Sequence, residues 1–131
     1  MARTPLDEAT ELTAKDVIHT RFSALPADAT VAQVRDWFAA SDHRRMAFLA
    51  TNGRYAGSLT RDDLDGELDP ARSAAALARI GPTIGPDAPA RAGYELAIAT
   101  RAQRVPVVGR DGTLIGVIGV TDDRVAFCGT H

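Results

Sequence analysis

The chain has 131 residues, 45% of them hydrophobic and 24% charged, with seventeen acidic against fifteen basic side chains, a net charge of −2 and one cysteine. That is enough for one compact domain or two small interdependent ones, and it lacks the basic excess that would draw it to nucleic acid or an anionic membrane. Cys128 alone excludes an intrachain disulfide and a multi-cysteine zinc site. No apolar run approaches the ~18–20 residues that span a bilayer. The N-terminus carries no apolar signal region, so a soluble, cytoplasmic protein is expected.

Residues 1–12 are polar and aperiodic and read as a flexible N-terminal arm, frayed or swapped. Ala14-Lys15-Asp16-Val17-Ile18 then reads as a lead-in helix. Thr30 is a helix N-cap, and Val31, Val34, Trp37 and Phe38 recur at helical spacing through about Ser41. Met46-Ala47-Phe48-Leu49-Ala50 is a short buried strand, Asn52-Gly53 a tight hairpin turn, and Tyr55 to Leu59 the return strand. Thr60 caps a short helix, Arg61-Asp62-Asp63-Leu64. Asp69-Pro70 opens an alanine-rich helix over 73–80 that stops at Gly81-Pro82. Pro89 starts a further helix whose apolar positions are Leu96, Ile98 and Ala99. Val105-Pro106-Val107-Val108 is a strand, Asp111-Gly112 a turn, Leu114 to Val120 the return strand, and Thr121-Asp122-Asp123 opens a last helix.

The second half repeats the first. A shift of 59 positions, without a gap, lays Asp28 on Asp87, Ala40 on Ala99, Arg45 on Arg104, Gly53 on Gly112, Gly57 on Gly116 and Asp63 on Asp122. A repeat of this kind is one supersecondary unit that cannot bury its own sheet face. Two copies packed together predict an α+β fold, each copy ordered β-α-β-β-α, with pseudo-twofold symmetry and a cleft between them. The boundaries read as an arm over 1–12, repeat one over 13–69 and repeat two over 70–131.

Three blocks then resemble those of CBS domains. The opening block is Pro82-Thr83-Ile84-Gly85-Pro86-Asp87 and, more loosely, Ala24-Leu25-Pro26-Ala27-Asp28-Ala29-Thr30-Val31. The middle block is Arg104-Val105-Pro106-Val107-Val108, with Arg45-Met46-Ala47-Phe48-Leu49 as its looser copy. The closing Gly-x-x-Thr-x-x-Asp is met by Gly57-Ser58-Leu59-Thr60-Arg61-Asp62-Asp63, whereas its copy, Gly116 to Asp122, has Gly119 in place of the threonine. The sequence thus resembles a stand-alone tandem CBS pair, or Bateman module, from about residue 13 onward.

That resemblance implies a non-catalytic regulatory protein holding AMP, ATP or S-adenosylmethionine between its repeats, needing no cofactor, forming a homodimer and signalling to an unknown protein partner. Asp63 and Asp122 would accept ribose hydroxyls, Thr60 would add a hydroxyl, and Arg45 and Arg104 would neutralise phosphate. Met46, Val105, Thr83 and Ile84 would line the adenine slot. Each feature has a plainer reading as well. Thr60 and Asp63 fit a helix start, Arg45 fits a solvated helix end, and Gly119 and Ala47 fit a ligand-free dimerisation or docking scaffold with degenerate sites.

Other chemistry is poorly served. The only lysine, Lys15, rules out a phosphate-binding Gly-Lys loop. No Gly-x-Ser-x-Gly elbow occurs, and His19, His43 and His131 lack metal-ligand spacing. The acidic run 62–69 has its glycine out of register for a calcium loop.

Overall fold

The computed structural model describes residues 3–20 and 22–128. Met1 and Ala2 of the expected arm, and His131, lie outside the described residues. The strands and helices are β1 (Arg3–Pro5), β2 (Ala24–Pro26), α1 (Val31–Ala39), β3 (Met46–Thr51), β4 (Arg54–Thr60), α2 (Ala90–Ile98), β5 (Arg104–Val108), β6 (Leu114–Val120) and β7 (Ala126–Cys128). Single turns of 3-10 helix occupy Leu6–Ala9, Ala14–Asp16, Arg61–Leu64 and Ala74–Ala76. The chain divides into two compact units, Ser23–Gly81 and a discontinuous one of Met1–Phe22 with Pro82–His131. These units cut across the sequence repeats at 13–69 and 70–131.

The unit Ser23–Gly81 holds a three-stranded sheet of order β2-β3-β4, with β2 parallel and β4 antiparallel to β3. Asn52 and Gly53 both take positive φ (52° and 80°), as a two-residue hairpin requires. Helix α1 opens as its sequence predicts: the Thr30 hydroxyl accepts from Gln33 N, and the Gln33 side chain accepts from Thr30 N. Val31, Val34 and Phe38 of α1 pack with Ala47, Leu49, Leu59, Leu64 and Ala74 in one core.

The alanine-rich helix expected over 73–80 is not formed. One turn, Ala74–Ala76, buries Ala74, and the chain then extends so that Arg79 pairs with Ser58 through both backbone bonds at 2.9 Å. Alanine propensity is a small bias in so short a segment. Two ladder bonds and a buried Ala74 outweigh it.

The discontinuous unit holds a four-stranded sheet of order β1-β7-β6-β5. Its core gathers Ala14, Val17, Ile18, Ile84, Ala90, Ala97, Val105, Val107, Ile118, Val120 and Phe127. Four expectations are corrected here. Residues 3–12 are tied to the fold: β1 pairs with β7, Leu6 N donates to Val125 O, and Ala9 is buried. The lead-in 14–18 is a single 3-10 turn belonging to the second repeat, because Val17 and Ile18 enter its core and His19 pairs with Val117. Helix α2 presents Ala90, Gly93 and Ala97 inward, Leu96 and Ile98 are half-buried, and Ala99 is exposed beyond the helix end. Among the described residues no helix follows Thr121. Residues 121–124 make a turn in which Asp123 accepts from the Thr121 hydroxyl and Val125 N, Arg124 sits at φ 64°, and β7 begins. A left-handed residue ends any helical run.

The lead-ins are therefore exchanged. His19, ahead of repeat one, joins β6, and Arg79, ahead of repeat two, joins β4. The first glycine of each closing block permits this approach. A Cβ on Gly57 would lie 2.9 Å from Ala78 Cβ, and one on Gly116 would lie 3.1 Å from His19 O.

Candidate functional site

In the unit Ser23–Gly81 the β3–β4 register sets Met46 beside Thr60, with Arg45 immediately before Met46. The 3-10 turn after β4 folds Asp63 back onto Thr60. Asp63 Oδ2 accepts from Thr60 N at 2.8 Å and from Thr60 Oγ1 at 3.2 Å. The other oxygen, Oδ1, accepts from Arg79 Nη2 at 2.8 Å. The Asp63 side chain is 11% exposed and that of Arg79 is 72% exposed, so a shielded carboxylate meets solvent through an arginine.

Neighbouring side chains fix this turn from both sides. Arg61 donates to Phe38 O at 3.0 Å, Ser41 O at 2.7 Å and Arg44 O at 3.1 Å, and lies over the Phe38 ring. It thereby ties the 3-10 turn to the C-terminal end of α1 and to the loop that follows it. Arg35 donates to Leu64 O and Gly66 O. Arg79 O accepts from Ser58 N at 2.9 Å and from the Tyr55 hydroxyl at 3.3 Å, and burial pushes the Tyr55 pKa up.

The second copy is built differently. Register places Arg104 beside Gly119, and Gly119 beside Cys128. Arg104 Nη1 folds onto backbone, donating to Gln103 O at 3.0 Å and to Ala102 O and Val120 O at 3.4 Å. A Cβ at position 119 would lie 2.7 Å from Cys128 Sγ and 3.0 Å from Arg104 Nε. The space of the missing threonine is thus filled by its two cross-strand neighbours. Val105 is fully buried and Ile84 is 7% exposed, and both belong to the core of their unit. Ile84 bridges Val107, while Thr83 beside it is exposed. Asp122 is exposed in the 121–124 turn, where Asp123 accepts from the Thr121 hydroxyl and Val125 N, a different pattern from that of Asp63 on Thr60 after β4. The Thr121 hydroxyl, Val125 N–H and Arg3 hold Asp123 below the ordinary carboxylate range.

Thr60, Asp63 and Met46 are therefore brought together, with Arg45 next in the chain. Arg79, Ser58, Tyr55 and Arg61 were not foreseen as site residues; in the structure Gly57 marks the place where the 78–79 segment docks. A separate groove of about 710 Å³ is lined by Arg3, Leu6, Asp7, Arg91, Arg124 and Val125, with none of the predicted site residues. Among the described residues no cluster of His, Cys, Asp or Glu is arranged to hold a metal ion, and no helix is long and apolar enough to cross a membrane.

Residues 77–122 match the family model of the CBS domain. The solved cystathionine beta-synthase pair domain from Shewanella oneidensis MR-1 superposes with a TM-score of 0.73 at 21% identity, covering 86% of this chain and 68% of that one. The fold is that of a CBS pair. CBSX2 from Arabidopsis thaliana, solved in complex with AMP, matches with a TM-score of 0.67 at 16% identity, over 86% of this chain and 91% of that one. The cytosolic domain of the Mg2+ channel MgtE in complex with ATP matches with a TM-score of 0.67 at 21% identity, over 89% of this chain and 50% of that one. No curated protein sequence matches the chain. At these identities the structural likenesses establish the fold alone.

Proposed function

We propose that this CBS pair is a regulatory module that binds an adenosine-containing ligand and passes its occupancy to a partner protein. The observation that carries the reading is the Asp63 carboxylate, 11% exposed and held by Thr60 N. A carboxylate fixed at a strand end in this way suits a pair of ribose hydroxyls. Thr60, Arg45 and Met46 complete the site on this copy, the arginine for phosphate and the methionine for the base. The AMP and ATP complexes of CBSX2 and MgtE support AMP or ATP as the ligand, with S-adenosylmethionine as a further choice. Arg104, Asp122, Thr83, Ile84 and Val105 form the second, degenerate copy, whose hydroxyl is lost at Gly119. The module acts as a cytoplasmic homodimer. Ligand shifts it only by the difference in its affinity for two conformations.

A second reading, a ligand-free docking scaffold, is favoured by Arg79 standing on Asp63 and by Arg104 and Cys128 filling position 119. Calorimetric titration of AMP, ATP and S-adenosylmethionine into wild type and Asp63→Ala separates the two. The sensor reading expects binding of one ligand and at least about a tenfold loss in the variant, the worth of a charge-assisted hydrogen bond. No binding at millimolar ligand, or equal binding by both proteins, supports the scaffold.

A further inference from the structure

We infer that Arg79 is the residue that makes the Asp63 site select phosphate-bearing ligands over phosphate-free adenosine; the inference rests on the nucleotide reading above. Arg79 Nη2 donates to Asp63 Oδ1 at 2.8 Å, while Thr60 holds Oδ2 through two bonds. A ribose hydroxyl approaching this carboxylate therefore competes with a cation already in place. Adenosine has no anionic group to offer the displaced guanidinium. A phosphate does, because it accepts from arginine through charge-assisted, bidentate bonds. The phosphate-bearing ligand trades one ion pair for another, and the phosphate-free one loses the first without replacement.

The build of Arg79 suits such an exchange. Its backbone is pinned to β4 by two bonds to Ser58, and its carbonyl also takes the Tyr55 hydroxyl. Its side chain is 72% exposed, and its guanidinium donates to Asp63. A fixed root and a solvent-exposed side chain let the guanidinium swing without unpairing the strand. The backbone position that pairs with β6 in the other unit is His19, so this device belongs to the Asp63 copy alone.

The test is calorimetry of AMP and of adenosine against wild type and Arg79→Gln, with Asp63→Asn as a second variant that still accepts from Thr60 N–H. Wild type is expected to bind AMP about tenfold or more tightly than adenosine. Arg79→Gln is expected to bind adenosine about two- to fivefold more tightly than wild type, the worth of a solvent-facing ion pair removed, and to bring the AMP-to-adenosine ratio close to one. Asp63→Asn is expected to weaken both ligands while AMP keeps an advantage, since Arg79 is then free for phosphate. If Arg79→Gln leaves the ratio unchanged while AMP still binds, or weakens adenosine, this inference is overturned and the nucleotide reading stands. If neither ligand binds wild type or Arg79→Gln, both fall together.

Discussion

Gly119 shows how one residue decides what a copied site can do. Its place in the closing block suggests a lost hydroxyl, yet the structure shows a position with no room for one: Cys128 Sγ and Arg104 Nε close over it from the neighbouring strands. Restoring the family residue should therefore harm the fold before it helps any ligand. Gly119→Thr is expected to lower unfolding stability by about 1–3 kcal/mol, the usual cost of overpacking, as a fall in the urea midpoint. Adding Cys128→Ala should return part of the loss, and a variant as stable as wild type would show that the space is open. At this scale Thr60 and Asp63 were legible because their contact spans three residues. Arg79 was not, because nothing local to it announces a carboxylate sixteen residues away.

Among the elements, those with local punctuation were read correctly and those completed by distant pairing were not. Helix α1 carries its own capping box, and the β3–β4 hairpin its Asn-Gly turn. The segments at 14–18 and 73–80 have helix-like composition, but Ala14 N and Lys15 N donate to Ala88 O and Pro86 O, and Arg79 pairs with Ser58, all far away in sequence. The turn after β6 was misread because Thr121 opens on Asp123, two residues on, and the Arg124 conformation stops a helix. This turn also makes a pH prediction. Asp123 titrates below its ordinary value of 3.8, chiefly through the Thr121 hydroxyl. A depressed carboxylate contributes stability above its unfolded pKa and loses it as pH falls through the folded one. Thr121→Val should raise the Asp123 pKa toward 3.8 in a side-chain NMR titration and move acid unfolding to higher pH. An unchanged titration would mean that the hydroxyl bond is not made in solution.

At the scale of the whole molecule, the repeat grammar and the α+β class were visible in the sequence, whereas the exchange of lead-in segments was not. A repeat read from a self-shift assigns each segment to the copy it precedes. Packing here assigns it to the other: Ala14, Val17 and Ile18 sit in the core with Val105, Ile118 and Phe127. Removal of residues 1–22 should therefore unfold the unit formed by the C-terminal half. Burial of a valine or isoleucine stabilises by about 1.5–3 kcal/mol, and two such residues with the β1 pairing rival the ~5–15 kcal/mol stability of an entire domain. Amide exchange is expected to lose protection in β5 and β6 of the shortened chain, and protection equal to wild type would place the N-terminal segment outside the core.

The central claim is that the Thr60–Asp63 turn is where a nucleotide is held. Amide NMR of the full chain titrated with AMP tests it most directly, by comparing wild type with Asp63→Asn. The expected result is saturable shifts concentrated at Arg45, Met46, Gly57 to Asp63 and Arg79, strongly weakened in the variant. Shifts elsewhere with this segment silent, or the same titration in both proteins, would contradict it.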